Sequence, residues 1–185
     1  MTEQKKLKIA GLVGSLRKDS FNKALMEEAM RLCPPEAEIE IIDIKLPLFN
    51  QDLENDLPEE VKKMKAELKS ADAVLIATPE YNYSFSSVLK NAIDWASRPY
   101  GQNSLEGKPV AVMSASVGML GGARAQYHLR QSFVFLDMHP LNRPEVMVPF
   151  AAENIIEGEI KNEKTKEKIG ELLAALIAWT KKLKK

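Results

Sequence analysis

The stretch DAVLIATPEYNYSFSSVLKNAIDW, residues 72–95, decides how this chain folds. Its first seven residues, 72–78, form a short apolar run of the kind that is typical of a buried strand. Pro79 then stiffens the chain as it leaves the strand, because the proline ring fixes φ. Apolar residues recur at helical spacing over 86–97, and Trp95 lies on that apolar face, where we expect it to belong to the core. The stretch therefore predicts a strand, a polar turn and a helix.

The same alternation runs along the rest of the chain. Further strands are predicted over 6–15, 38–44, 108–116 and 145–149, and further helices over 20–32, 58–71, 123–137 and 161–183. Strands that alternate with helices form a parallel sheet with right-handed crossovers and helices on both faces. We therefore expect residues 1–185 to form one α/β domain, a three-layer sandwich around a five-stranded parallel sheet.

The composition narrows the class of protein further. The 185 residues are 45% hydrophobic and 28% charged, which is an ordinary globular balance. Twenty-six basic residues balance 26 acidic ones, whereas a nucleic-acid-binding protein usually carries a basic surplus, so we expect no nucleic-acid partner. The first apolar run is too short for a membrane span and lacks a signal-peptide profile, which favours a cytoplasmic protein without membrane contact. The single cysteine, Cys33, excludes an intramolecular disulfide and is expected to be a small buried hydrophobe.

Three chemically rich loops follow strands of the predicted sheet. They are GSLRKDSFN at 14–22, TPEYNYS at 78–84 and SASVGMLGG at 114–122. In parallel sheets, ligands bind outside the carboxyl ends of the strands. We therefore expect the three loops to meet at one edge of the sheet and to form a single binding site.

The first loop has the properties of an anion site. It offers the hydroxyls of Ser15 and Ser20, the amide of Asn22 and the guanidinium of Arg17 beside the free N–H groups of a helix N-terminus. Such a helix end favours negative charge, so a phosphate monoester would suit the loop if Asp19 points to solvent. The loop matches neither the G-x-G-x-x-G nor the P-loop fingerprint. The alternative is that Ser20 only caps the helix and Arg17 is a surface charge.

The second loop is suited to a planar ligand rich in hydrogen-bond acceptors. Its turn can present the backbone N–H groups of Glu80, Tyr81 and Asn82, and the rings of Tyr81 and Tyr83 supply flat apolar contact. Glu80 could also act as a general acid–base residue, although we favour a solvated or turn-capping carboxylate.

The third loop has glycines at three of the six positions 117–122, which allows close approach to a ligand or a plain strand-to-helix turn. The sequence has no nucleophile elbow, and neither His128 nor His139 has cysteine or carboxylate neighbours at metal-ligand spacing. We therefore predict no metal site and no catalytic side chain, so that any redox chemistry would come from a bound organic cofactor.

The three loops together resemble a known family. GSLRKDSFNKAL, TPEYNYSFSSVLKNAIDWASRP and SVGMLGGARAQYHLRQ, in this order, closely resemble the NAD(P)H-dependent FMN reductase family, a flavodoxin-like group that includes bacterial quinone and chromate reductases. The similarity extends to about Val148. It implies a flavodoxin-like sheet with strand order 2-1-3-4-5 in a single FMN-binding domain.

The resemblance also implies which residues bind FMN. The phosphate would be held by Ser15, Arg17, Ser20 and Asn22, with the backbone of Phe21 nearby. The isoalloxazine ring would lie along Pro79, Glu80, Tyr81 and Asn82, with Ser116 and Gly118 at its other edge.

The reaction implied by the resemblance is a ping-pong hydride transfer. NADPH or NADH would reduce the bound FMN and leave before a quinone, chromate, an azo or nitro compound, or free flavin takes the two electrons. Members of the family are usually homodimers or homotetramers. Arg124, Tyr127 and Glu145 are candidates for polar contacts between subunits.

One short segment departs from the family pattern. Relatives commonly carry Val-Pro-Gly where this chain has Phe85, Ser86 and Ser87. We expect this difference to change how the turn leads into the helix, and Phe85 to narrow the space over the flavin. Substrate and nicotinamide preference are the properties that it would affect.

Two other functions remain open on the sequence alone. The first is an electron carrier of the flavodoxin type, which binds FMN without oxidising NAD(P)H; a net charge of zero argues against it, because flavodoxins tend to be acidic. The second is a binding module without flavin.

Overall fold

A computed structural model describes residues 6–184 of the chain. The strands are β1 Leu7–Val13, β2 Ala37–Ile41, β3 Ala73–Thr78, β4 Pro109–Ala115, β5 His139–Pro140, β6 Val146–Val148, β7 Ile155–Ile156 and β8 Glu159–Ile160. The helices are α1 Phe21–Arg31, α2 Glu59–Ser70, α3 Ser87–Ser97, α4 Ala123–Leu136, α5 Ala151–Asn154 and α6 Glu163–Leu183, with a single 3-10 turn at Gln51–Leu53.

The main sheet is parallel and has the strand order β2-β1-β3-β4-β5, which confirms the predicted order. Its fifth position is divided between two short strands. β5 pairs with the start of β4 at Pro109 and Val110, and β6 pairs with its end at 113–115. The sequence predicted only the second piece, because His139 and Pro140 lie outside any apolar run.

Helices cover both faces of the sheet. α1 and α6 pack on one face, and α2, α3 and α4 pack on the other. All six residues of β3 are buried, as a central parallel strand covered on both faces requires. Trp95 is fully buried on α3, which confirms that it belongs to the core. Within residues 6–184, no helix combines the length and the apolar character needed to cross a membrane.

The chain between β6 and α6 contains an antiparallel hairpin of β7 and β8, which the sequence did not predict. Its turn places Glu157 and Gly158 at positive φ. The hairpin packs against α1, since Ile155 and Ile160 join the same apolar cluster as that helix. Cys33, expected to be buried, is only partly so and packs at the edge of this cluster, where burial raises the pKa of its thiol.

Candidate functional site

The three loops meet at the carboxyl edge of the sheet and enclose a cleft. Its lining consists of Ser15, Arg17, Ser20, Phe21, Asn22, Pro79, Glu80, Tyr81, Ala115, Ser116 and Val117. Nine of the eleven residues proposed from the sequence are among them. The other two, Asn82 and Gly118, each follow a lining residue in the chain. Ala115 and Val117 were missed, although their place on either side of Ser116 could have indicated them.

The first loop ends at the N-terminus of α1, where Ser20 is the capping residue. Its Oγ accepts a hydrogen bond from the backbone N–H of Lys23 at 3.3 Å. The N–H groups of Phe21 and Asn22, in the first turn, have no partner within the helix. Ser15 Oγ accepts from the N–H of Arg17 at 3.3 Å. Both serine oxygens act as acceptors in these bonds, so their hydroxyl hydrogens remain available to donate to an anion.

The side chain of Asn22 is engaged elsewhere. It is 3% exposed, its Nδ2 donates to the carbonyl of Ala115 at 3.0 Å, and its Oδ1 accepts from the N–H of Ala115 at 2.9 Å. The amide oxygen and one amide hydrogen of Asn22 are therefore used within the protein, where the sequence led us to expect the amide to bind a phosphate. The amide instead joins the first loop to the end of β4, while the backbone N–H of Asn22 remains at the helix end.

The second loop is a tight two-residue hairpin turn. The N–H of Tyr81 donates to the carbonyl of Ser84, and the N–H of Ser84 donates to the carbonyl of Tyr81, both at 2.9 Å. Asn82 and Tyr83 have φ of 50° and 64°, as a type I′ turn requires. The N–H of Tyr81 is therefore used within the turn and is not presented to a ligand, contrary to expectation. The rings of Tyr81 and Tyr83 are exposed.

Glu80 links this turn to α4. Its Oε2 accepts from the backbone N–H of Ala125 at 3.2 Å, and its Oε1 lies 3.4 Å from Nη1 of Arg124. The Arg124 guanidinium in turn stacks 3.9 Å from the centre of the Tyr83 ring. The carboxylate thus caps α4, whose N-cap residue is Gly122 and supplies no side-chain cap of its own. Glu80 therefore acts as a capping carboxylate in this structure, although it caps α4 and not its own turn.

Two of the three glycines in the third loop are required by close packing against the protein itself. A Cβ at Gly122, where φ is 92°, would lie 2.7 Å from Cβ of Ser114. A Cβ at Gly121 would lie 2.8 Å from the backbone of Met147. Gly118 has no such constraint, since its nearest neighbour would be 3.8 Å away. Packing of the loop onto β4 and β6 therefore explains the glycine pair.

The segment that departs from the family pattern forms a regular helix start. Ser86 caps α3, and its Oγ accepts from the N–H of Leu89 at 3.2 Å. Phe85 packs against the apolar cluster on the α3 face of the sheet and does not line the cleft. The narrowing expected from Phe85 therefore does not arise in this structure.

Other singled-out polar residues make contacts within the chain. Tyr127 Oη lies 3.2 Å from Oε1 of Glu145, and Nδ1 of His128, on the exposed side of α4, lies 3.3 Å from Oγ of Ser84. Across residues 6–184, no three His, Cys, Asp or Glu side chains are grouped so that they could hold a metal ion.

The residues of the cleft fit FMN. Orphan helix N–H groups, two hydroxyls and the exposed guanidinium of Arg17 suit a phosphate at one end. A tyrosine-bearing turn and the exposed residues Val117 and Gly118 suit a flat ring. This fold, with a cleft at the carboxyl edge of its parallel sheet, defines a flavodoxin-like protein.

Comparison with known proteins gives the family. Residues 7–153 match the family described as NADPH-dependent FMN reductase, and the chain belongs to it. The chain is 49% identical over 182 residues to an NAD(P)H-dependent FMN reductase of Pseudomonas aeruginosa, a match that covers 96% of this chain and 97% of the relative. It is 44% identical over 177 residues to a 2-hydroxy-1,4-benzoquinone reductase of Burkholderia, with 95% and 97% covered.

A solved structure agrees with this assignment. The flavoenzyme NAD(P)H:acceptor oxidoreductase of Paracoccus denitrificans superposes with a TM-score of 0.88 at 40% identity, covering 95% of this chain and 98% of that one. The chain is thus a flavin oxidoreductase that uses FMN and NAD(P)H, as the resemblance implied.

Proposed function

We propose that residues 1–185 form a single FMN-binding domain that transfers electrons from NAD(P)H to quinones. In this reaction NAD(P)H, one proton and a quinone become NAD(P)⁺ and a hydroquinone, so that a hydride and a proton are consumed together. FMN, when bound, supplies the ring that takes the two electrons and passes them on. Quinone reductases of Burkholderia and Pseudomonas putida, 44% and 42% identical to this chain, support quinones as the acceptor class.

The phosphate of FMN is assigned to the first loop. The hydroxyls of Ser15 and Ser20, the guanidinium of Arg17 and the N–H groups of Phe21 and Asn22 would donate to it. All five residues line the cleft. A helix N-terminus and a guanidinium both favour a dianion, and a bond between charged groups is stronger than a neutral one.

The ring of FMN is assigned to the other two loops. Pro79, Glu80, Tyr81 and Asn82 would lie along one edge, and Ser116 and Gly118 along the other. With the N–H of Tyr81 used in its turn, the N–H groups of Glu80 and Asn82 are the ones proposed to stabilise negative charge on the reduced ring. No side chain is assigned an acid–base role.

We further propose a ping-pong order of binding. Leu16, Tyr81, Tyr83 and Val117 are exposed on the loops that form the cleft, and one face of the bound ring would be open to solvent. Donor and acceptor would occupy that face in turn. The same open face would admit chromate, azo and nitro compounds or free flavin as further acceptors.

The observation that carries the proposal is the meeting of an anion-binding helix end and a tyrosine-bearing turn in one cleft. The first experiment is a visible spectrum of the purified protein, followed by anaerobic NADPH and then a quinone. Flavin bands that bleach and return support the reductase. Bands that neither NADPH nor NADH changes would make the protein an electron carrier, and a protein that takes up no FMN would refute the site.

The phosphate assignment has its own test. Arg17→Ala should weaken FMN binding by roughly tenfold to a hundredfold, because it removes a charge-assisted bond to phosphate. Riboflavin, which lacks the phosphate, should bind both proteins equally. Lys63→Ala, an exposed cation on α2, is the control. Equal weakening for FMN and riboflavin would contradict the assignment.

We also propose that the protein works in the cytoplasm as a homodimer or homotetramer. Val134 and Phe135, at the end of α4, are 85% and 75% exposed, and large apolar side chains in such positions mark association surfaces. Light scattering after size exclusion would give the mass. A monomer at micromolar concentration would refute this part of the proposal.

A further inference from the structure

Phe150 has an unusual backbone conformation. Its φ and ψ are 47° and 48°, in the left-handed region, where a bulky side chain is rarely found. Glycine and asparagine adopt this conformation at much lower cost. A phenylalanine here indicates that something other than local backbone preference determines the residue type, and strain of this kind concentrates at functional sites.

Hydrogen bonds on both sides hold this conformation in place. The N–H of Ser116 donates to the carbonyl of Val148 at 3.1 Å, and the N–H of Ala151 donates to the carbonyl of Ser116 at 3.0 Å. The N–H of Phe150 itself points to the carbonyl of Gly118 at 3.4 Å. Residue 150 is therefore fixed beside the loop whose Ser116 and Val117 line the cleft.

Burial in the core does not explain why residue 150 is a phenylalanine. Phe150 remains 47% exposed, although the next residue, Ala151, is fully buried. Exposed apolar side chains also occur on the glycine-rich loop, where Val117, Met119 and Leu120 are 65%, 73% and 41% exposed. We call these four residues, Val117, Met119, Leu120 and Phe150, the apolar rim. Water contact with such a rim is unfavourable unless a ligand covers it.

We propose that Phe150 is a specificity-determining residue for the electron acceptor. Its backbone lies beside Gly118, and its half-exposed ring would contact the apolar part of an acceptor that lies over the flavin. The enzyme then prefers acceptors with an apolar ring or side chain to small hydrophilic oxidants. This inference rests on the proposed quinone reductase function.

The physical reason is the removal of apolar surface from water. An apolar acceptor that covers the Phe150 ring releases hydration from both surfaces, whereas a hydrophilic oxidant gains nothing from the contact. One apolar contact of this kind changes the relative use of two substrates by about tenfold or more. The strained backbone is held by hydrogen bonds beside the loop that lines the cleft, and the half-exposed ring is available to an acceptor there.

The test compares Phe150→Gly and Phe150→Asn with the parent protein, each loaded with FMN. Both substitutions remove the ring and suit a left-handed backbone. With NADPH saturating, kcat/KM for 2-methyl-1,4-naphthoquinone should fall about tenfold, mainly through a higher KM. Turnover of ferricyanide, a hydrophilic oxidant, should stay within about twofold, since it gains nothing from the rim. The FMN dissociation constant from flavin fluorescence and the melting temperature should not worsen.

Met30→Ala is the matched control. Met30 is a 41% exposed apolar side chain near the end of α1, at the opposite edge of the sheet, and its loss should change neither acceptor. Unchanged naphthoquinone kinetics in both Phe150 variants would overturn the inference and leave the reductase proposal standing. An equal loss for both acceptors, or weaker FMN binding, would assign Phe150 a purely structural role. A parent protein that oxidises no NADPH would instead refute the proposed function.

Discussion

Replacement of Lys65 by methionine should destabilise the protein, because this buried ammonium holds together the end of α3 and the loop after it. Lys65 is 5% exposed on α2. Its Nζ lies 2.5 Å from the carbonyl oxygen of Arg98, 3.0 Å from those of Ala96 and Gln102, and 3.4 Å from that of Trp95. Burial lowers the pKa of Lys65 to about 8, so the group is still protonated at pH 7.

The expected loss of stability depends on which hydrogen bonds each carbonyl oxygen keeps when Lys65 is replaced. Trp95 and Ala96 retain backbone donors, the N–H groups of Arg98 and Ser104 at 3.3 and 2.9 Å, so each loses only about 0.5 kcal/mol. The carbonyls of Arg98 and Gln102 depend on Lys65, and each loses about 1 kcal/mol. Loss of the cation at the C-terminus of α3 adds a few tenths of a kcal/mol. We expect a total of about 3 kcal/mol, a large part of the stability of a domain this size.

The assay is urea denaturation at pH 7, with the free energy of unfolding compared between Lys65→Met and the parent. Lys63→Met, an exposed change on the same helix, should alter it by less than about 0.5 kcal/mol. A Lys65→Met protein as stable as the parent, or more stable, would refute the reasoning. It would mean that the cost of burying the ammonium cancels its hydrogen bonds.

Three further predictions concern the contacts that join the loops. Glu80→Ala should lower the free energy of unfolding in urea by about 1–2 kcal/mol, because α4 loses its cap. Glu80→Gln should lower it by less than half of that, because the amide oxygen still accepts from the N–H of Ala125. Equal losses for the two variants would contradict the capping role. Asn22→Ala should cost about 2–3 kcal/mol and weaken FMN binding, whereas normal stability and FMN affinity would show that its two bonds to Ala115 are dispensable. Gly122→Ala should lower the free energy of unfolding by at least about 3 kcal/mol, since the new Cβ clashes with Ser114 and φ is unfavourable. Gly158 also has positive φ but lies in open space, so Gly158→Ala should cost only about 1 kcal/mol. A similar loss at both glycines would show that φ alone sets the requirement.

Much of the fold could be predicted because its signals are local. The buried run 73–78 and the apolar face of α3 are each contained in one stretch of sequence, and alternation of such stretches gives the parallel topology. The divided fifth strand was missed at His139 and Pro140, since two residues carry no periodicity. The hairpin at 155–160 was missed for the same reason.

The site was predictable to the level of residues but not of atoms. Polar loops at strand ends must converge, so the meeting of the three loops could be predicted from the sequence, and the family resemblance then named the residues. The hydrogen-bond partners of individual groups could not be predicted, because they depend on contacts between residues that are far apart in the sequence. Asn22 bonds to Ala115, 93 residues away, and Glu80 bonds to Ala125, 45 residues away. Local reasoning therefore assigned to a ligand two groups that the protein itself uses, the Asn22 amide and the Tyr81 N–H.

The division of the fifth strand has a consequence for behaviour at high concentration. A sheet edge with a long row of unpaired N–H and carbonyl groups recruits strands from other molecules and leads to aggregation. On this side, β5 and β6 offer only two and three residues of regular strand. On the other side, β2 carries the exposed carboxylates of Glu38 and Glu40, which repel a second copy. Both edges therefore resist the growth of intermolecular sheets. At high concentration, we expect this protein to aggregate less than a protein with an uninterrupted five-stranded sheet.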